Sequence, residues 1–155
     1  IVTCGGRKPN ETLVKEFGAA PLPFKEFLAA ADVISITAPL TAQTRHAFDA
    51  AAFAGMKPTA LLVNTGRGPI IDEAALVVAL QQGRIAGAGL DVYEFEPHLT
   101  QGLAELPNVV ITPHIGSATA EARDGMAVLA AQNLVAMLEG TSPPTCLNPE
   151  VLARP

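Results

Sequence analysis

Short runs rich in Val, Ile and Leu recur along this chain at intervals long enough to hold a helix, and this alternation restricts its possible folds more than any other feature. The runs are residues 1–4, 33–37, 61–65, 87–92 and 109–112. Between them, Asn10 is placed to cap a short helix ending before Gly18, residues 24–31 read as a second helix, and an Ala-rich helical turn follows Asp49. Asp72 precedes a helix in which Leu76 and Leu80 share a face, and Gly83 stands where a left-handed C-cap belongs. Ser117 or Thr119 starts a long helix whose Met126, Ala130, Leu134 and Met137 recur at helical spacing, a stripe read as core packing rather than cofactor contact. Strands separated by helical connections imply βαβ units with right-handed crossovers. The expected fold is α/β: a doubly wound, mostly parallel sheet in three layers.

The prolines agree with this parsing. Pro9, Pro21, Pro23, Pro39, Pro58, Pro69, Pro97, Pro107 and Pro113 all fall in expected connections or first helical turns, where a missing N–H costs little. Residues 140–155 read as an extended tail. With 155 residues, 49% of them hydrophobic, the chain can form one domain that buries roughly 70% of its unfolded surface. A net charge of -5, with ten Lys and Arg scattered along the chain, argues against a nucleic-acid partner. No apolar run approaches the roughly 20 residues that cross a bilayer, so no membrane partner is expected. Cys4 and Cys146 are too far apart in sequence to suggest a disulfide framework, which makes a reducing cytoplasm the default.

Open α/β sheets build their sites where strands end, because those ends converge on one crevice. Charged residues leave three of the expected strand ends: Arg67 in Asn64-Thr65-Gly66-Arg67-Gly68, Asp91 and Glu96 in Asp91-Val92-Tyr93-Glu94-Phe95-Glu96-Pro97, and His114 in Thr112-Pro113-His114-Ile115-Gly116-Ser117. Pro39 and Leu40 follow another strand. Taken singly, an Arg after a strand is usually a solvated loop residue, a Glu beside another Glu is usually surface, and a lone His is usually structural; their joint placement raises the odds. His46 and His98 lack that placement and read as surface. His114 has no partner at metal-ligand spacing, so no metal site is expected.

A dinucleotide fold announces itself with Gly-x-Gly-x-x-Gly between its first strand and first helix, and this sequence has none. Gly87-Ala88-Gly89 lies inside an expected strand and suits close packing better. If the domain binds a nucleotide, its first βα unit is absent from this sequence. Gly6-Arg7-Lys8 follows the first strand, where NAD enzymes place an acid for the ribose hydroxyls. On local grounds a basic turn and a contact to a ribose phosphate are equally open.

The order of Ala38-Pro39-Leu40-Thr41, Met56-Lys57-Pro58, Asn64-Thr65-Gly66-Arg67-Gly68, Ala88-Gly89-Leu90-Asp91-Val92, Glu96-Pro97 and Thr112-Pro113-His114-Ile115-Gly116-Ser117-Ala118-Thr119 resembles the D-isomer-specific 2-hydroxyacid dehydrogenases across nearly the whole chain. Within that family, Gly6-Arg7-Lys8-Pro9 and the stretches 115–119 and 131–134 look most like glyoxylate and hydroxypyruvate reductases. The resemblance implies a Rossmann-like domain lacking its first βα unit over residues 1–116. Residues 117–155 would be a return helix and tail toward a substrate domain. It implies Arg67 on the 2-oxoacid carboxylate and carbonyl, His114 as proton donor and Glu96 paired with His114. Asp91 would bind the nicotinamide carboxamide with Gly116 nearby, Pro39 and Thr65 would line the cofactor cleft, and Arg7 and Lys8 would meet the adenosine ribose. NADP is then preferred over NAD. The complete protein would be a homodimer acting on a small 2-oxoacid, whereas residues 1–155 alone would not turn over. Gly66 stands where many members carry Ala or Ser.

The chemistry suits these residue types. Hydride arriving at C2 of a 2-oxoacid leaves negative charge on oxygen, which an imidazolium can neutralise with a proton. A neighbouring carboxylate favours the charged imidazole and orients it, while guanidinium offers a carboxylate two parallel hydrogen bonds. A nucleotide-sensing binding protein resembling the C-terminal-binding-protein corepressors, which share the Arg, Glu and His set, is a second reading. An inactive fragment is a third.

Overall fold

The computed structural model describes residues 3–4 and 11–153. The chain divides into two compact units, Ile1–Gly116 and Ser117–Pro155. In the first unit, strands β3 (Val33–Ile36), β4 (Leu61–Asn64), β5 (Gly87–Leu90) and β6 (Val109–Ile111) form a four-stranded parallel sheet in the order β3-β4-β5-β6. This is the Rossmann-like α/β architecture. The first strand, β1 (Thr3–Cys4), does not join that sheet; it pairs in parallel with β2 (Ala20–Pro21) in a separate two-stranded sheet. Pro21 therefore lies in a strand and not in a connection. A two-residue strand with one neighbour tolerates proline because its outer side has no ladder bond to lose.

Helices α1 (Glu11–Phe17) and α2 (Phe24–Ala30) follow β1 and β2. Asn10, expected to cap α1, lies outside the described residues. Helix α3 (Ala50–Ala54) starts at Asp49, whose carboxylate accepts the Ala52 N–H at 2.8 Å, and α4 (Glu73–Gln81) starts at Asp72, which accepts from Ala75 at 3.0 Å. Each cap satisfies an N–H that has no partner within its helix. Gly83 ends α4 at φ +64°, a left-handed conformation that suits glycine, and lets the Arg84 N–H reach the Ala79 carbonyl at 2.8 Å.

The sheet buries one face. Ile34, Leu62 and Ala88 form one register row and Ile36, Asn64 and Leu90 the next, all buried in a core shared with Phe53 of α3 and Leu76 and Leu80 of α4. On the opposite face Val33 is 61%, Leu61 46% and Val110 68% exposed. Of the two strand glycines, Gly87 fits the expectation of close packing, because a Cβ there would lie 2.9 Å from the Asn108 carbonyl oxygen. Gly89 does not, since its nearest neighbour would be Val63 at 3.8 Å.

In the second unit, α5 (Ala120–Leu138) is capped by Thr119, whose hydroxyl oxygen accepts the Ala122 N–H. No α5 residue is buried, and Met126, Leu134 and Met137 are all exposed, so the stripe read as core has no cover within its unit. Val128, Leu129, Val135 and Leu138 are exposed as well, so the apolar residues are spread around the helix and not gathered on one side. The tail is also more structured than the extended segment its prolines suggest. Asn133 donates to the Thr145 hydroxyl at 2.8 Å and accepts the Thr145 N–H at 3.2 Å, and Pro149–Ala153 form a 3-10 helix.

Candidate active site

The four strands end on one row: Ile36, Asn64, Leu90 and Ile111 are register partners across the sheet. One residue further on, the N–H groups of Thr65, Asp91 and Thr112 bond to the carbonyls of Ile36, Asn64 and Leu90 at 3.2, 3.0 and 2.9 Å. The loops that carry Pro39, Arg67, Glu96 and His114 thus leave the sheet side by side.

Asn64, fully buried, shapes the Arg67 loop. Its side-chain oxygen accepts the Gly66 N–H at 3.0 Å and its amide donates to the Arg67 carbonyl at 3.1 Å. The Arg67 guanidinium is exposed and donates to the Gly66 carbonyl at 2.7 Å. Gly68 brings this loop against the next one: a Cβ there would sit 1.7 Å from the Tyr93 carbonyl oxygen. Gly66 is also crowded, with its ideal Cβ 3.0 Å from the Ala38 carbonyl oxygen.

Asp91 is buried and holds the His114 loop. Its Oδ1 accepts the Thr112 hydroxyl (2.6 Å) and the Ile115 N–H (2.9 Å), and its Oδ2 accepts the Gly116 N–H (2.8 Å). The Thr112 hydrogen bond, the two backbone N–H groups and the nearby His114 together outweigh burial and hold its carboxyl below the ordinary value. A Cβ on Gly116 would come within 2.8 Å of Oδ2, so glycine is what lets this clasp close. Inside the clasp His114 adopts φ +51°, a conformation uncommon for a non-glycine residue and one that points to a functional constraint.

His114 Nδ1 lies 2.9 Å from Glu96 Oε2, and Glu96 Oε1 accepts the Tyr93 N–H at 3.0 Å. Burial pushes the Glu96 carboxyl up, but the His114 hydrogen bond, the Tyr93 N–H and the charges of His114 and Arg67 outweigh it and leave Glu96 below its ordinary value. Glu96 is therefore a carboxylate that can only accept, so Nδ1 carries the proton of the pair. Nε2 has no hydrogen-bond partner among the described residues, and the His114 side chain is 47% exposed. Tyr93 braces the two loops, its hydroxyl donating to the Thr112 carbonyl; burial, followed by the charges of Asp91, Glu96 and Glu73, raises its phenol and keeps it a donor.

Of the residues expected at the site, the fold therefore joins Glu96 to His114 and places Arg67 close enough to influence Glu96. Asp91 is joined to the Gly116 backbone. Thr65 and Pro39 are exposed beside them, with the Pro39 carbonyl accepting the Thr44 hydroxyl at 2.8 Å. Arg7 and Lys8 lie outside the described residues. His46 and His98 are both exposed, as expected of surface residues, but His46 also has a side-chain partner: its Nε2 lies 2.6 Å from Glu94 Oε1. Asn64, Gly68 and Glu73 received no role from the sequence. The one available signal is an asparagine closing an apolar strand. Among the described residues no group of three or more His, Cys, Asp or Glu could hold a metal ion.

Residues 2–116 match the family model described as D-isomer specific 2-hydroxyacid dehydrogenase, NAD binding domain. The chain belongs to this family. It is 51% identical over 146 residues to the glyoxylate reductase of Thermococcus onnurineus, covering 94% of this chain and 43% of that protein. With the glyoxylate/hydroxypyruvate reductase B of Yersinia enterocolitica it shares 49% identity over 147 residues, covering 94% and 45%. The NADPH-dependent glyoxylate/hydroxypyruvate reductase of Sinorhizobium meliloti, solved in complex with NADP and malonate, superposes with a TM-score of 0.78 at 41% identity, over 86% of this chain and 41% of that one. The chain thus spans less than half the length of these dehydrogenase relatives.

Proposed function

We propose that the complete protein transfers a hydride between NAD(P)H and a small 2-oxoacid, reducing glyoxylate or hydroxypyruvate to the D-2-hydroxyacid or its achiral equivalent. The observation that carries this reading is the His114–Glu96 pair. Glu96 occupies Nδ1 and leaves Nε2 exposed at the strand ends beside Arg67. Arg67 receives the substrate carboxylate through two parallel N–H groups after giving up its contact to the Gly66 carbonyl. As hydride reaches C2, the carbonyl π electrons move to oxygen and the Nε2 proton neutralises it. The neutral imidazole is then reprotonated from solvent.

The described residues fit the nicotinamide end of such a cofactor. Pro39, Thr65 and the side-chain-free Gly116 are all exposed on the strand-end loops, and Asp91 Oδ2 accepts one hydrogen bond, from the Gly116 N–H, leaving capacity for an amide N–H. Bound there, the cofactor supplies the hydride. Arg7 and Lys8 would meet a ribose 2′-phosphate, which supports a preference for NADP over NAD. The exposed apolar residues of α5 support residues 117–155 as the part that packs on a substrate domain. The same reading has the complete protein act as a cytoplasmic homodimer.

The test is loss of reduced-cofactor absorbance with glyoxylate and hydroxypyruvate, using the full-length protein. His114→Ala should lower turnover by about 10² to 10⁴, the usual worth of a positioned general acid. Glu96→Gln removes the charge that favours the imidazolium, so the falling limb of the pH–rate profile should move toward acid. A Glu96→Gln profile superimposed on the parent's would refute the pairing, and a parent inactive on every small 2-oxoacid tried would refute the activity.

A further inference from the structure

Both non-glycine residues at positive φ among the described residues are histidines, His46 and His114, each at 51°. Each pairs with a glutamate of one short segment: His114 with Glu96 at 2.9 Å, His46 with Glu94 at 2.6 Å. The proposed reaction uses only the first pair. The other bonds around His46 indicate the role of the second.

The His46 N–H donates to the Pro69 carbonyl at 2.9 Å, the Phe48 N–H to Ile70 at 3.1 Å and the Asp72 N–H to Phe48 at 3.1 Å, so residues 46–48 run alongside the chain that leaves Arg67. On its side-chain side, His46 donates from Nε2 to Glu94, since an ionised carboxylate can only accept. Glu94 Oε2 in turn accepts the Glu73 N–H at 3.1 Å. The Glu73 carboxylate, 1% exposed at the start of α4, accepts the Glu94 N–H at 2.6 Å together with the Thr100 N–H and hydroxyl at 3.3 and 2.7 Å. The segment from Glu94 to Thr100, which contains Glu96, is thereby anchored at both ends to a buried group. His46 links that segment by its side chain to the Arg67 loop that it holds by its backbone. A left-handed histidine persists only where surrounding bonds over-determine it, and these bonds do so.

We propose that His46 is a positioning residue: through Glu94 and buried Glu73, it sets the separation between Arg67 and the Glu96–His114 pair. This assignment rests on the proposed roles of those three residues. His46 itself does not contact the substrate.

The test uses full-length protein with His46→Asn and His46→Gln. Asparagine tolerates the left-handed backbone but is too short to reach Glu94, whereas glutamine is long enough to donate an amide N–H to it. His46→Asn should lower kcat for 2-oxoacid reduction roughly 10- to 10²-fold, as sub-ångström to 1 Å misplacements do, with little change in cofactor KM. His46→Gln should recover most of that loss. His46→Asn should also move the titration of His114, followed by NMR of its imidazole protons, toward acid as Glu96 loosens. That measurement needs no turnover, so it judges the positioning role even if the proposed activity fails. Glu94→Gln should reproduce the shift if His46→Asn does not fold. Parent-like rates and an unmoved His114 titration in His46→Asn would overturn the proposal. So would a lowered melting temperature with the rate, its pH profile and the His114 titration unchanged, because that is the signature of a purely structural tie.

Discussion

Replacing Gly68 by alanine tests whether the Arg67 loop and the Glu96 loop are set by a backbone crossing. The added Cβ would lie 1.7 Å from the Tyr93 carbonyl oxygen, 1.9 Å from its carbonyl carbon and 2.5 Å from the Glu94 nitrogen. All three are main-chain atoms, so no side chain can swing away. Even the closest tolerated approach, 3.0 Å, requires the two loops to part by about 1.3 Å. Overpacking of a core by side chains costs about 1–3 kcal/mol; a clash between two backbones should reach the upper end, near 3 kcal/mol, which is roughly 6–12 °C in melting temperature for a domain of this size. The functional effect should be of similar size in free energy. Arg67 immediately precedes Gly68, and Tyr93 holds Glu96 through its N–H, so the displacement falls on the distance between Arg67 and the Glu96–His114 pair. A shift of about 1 Å can cost 10²-fold in rate.

Calorimetry and steady-state reduction of a 2-oxoacid by the full-length protein would measure both effects, with Gly89→Ala as the control. A Cβ on Gly89 meets nothing closer than Val63 at 3.8 Å, so that variant should stay within about 0.5 kcal/mol of the parent. If Gly68→Ala melts and turns over like Gly89→Ala, the crossing does not set the site.

Cofactor choice and acid stability can be tested separately. Arg7→Asp replaces positive charge at the proposed 2′-phosphate with negative charge and should reverse the ratio of kcat/KM for NADPH and NADH; an unchanged ratio removes Arg7 from the cofactor site. Asp91 and Glu96 both lie below their ordinary values of 3.8 and 4.5 in the folded chain. A group whose folded-state pKa is depressed stabilises the fold above its unfolded value, and that contribution is lost as pH falls through the folded value, so stability should decline on acidification below about pH 4. Asp91→Asn should flatten the decline in urea midpoint between pH 6 and 3; a decline parallel to the parent's would mean that another group titrates.

The sheet and the site were legible in the sequence to different degrees because they depend on different separations along the chain. A strand such as Val33–Ile36 shows itself within its own residues, through β-branched side chains and flanking breakers, and Asp72 and Gly83 mark the ends of α4 in the same local way. Strands joined by helical crossovers run parallel and end on the same edge of the sheet, which is why Arg67, Glu96 and His114 can be placed on one rim. Periodicity was less informative for α5, where spacing alone suggested a core stripe but cannot supply the surface that would cover it. The ties that fix the site were not visible at all. Glu73 and Glu94 are 21 residues apart and His46 and Glu94 are 48, and no local pattern relates such pairs. Gly68 was hidden for a related reason: its φ is unremarkable, and what requires glycine there is the Tyr93 backbone, a neighbour that exists only once both loops are folded. Residues that act on a substrate are recognisable by type, whereas residues that set distances between loops are recognisable only from the contacts themselves. His46 and Gly68 belong to the second kind, so their substitution gives the more direct test of the geometry.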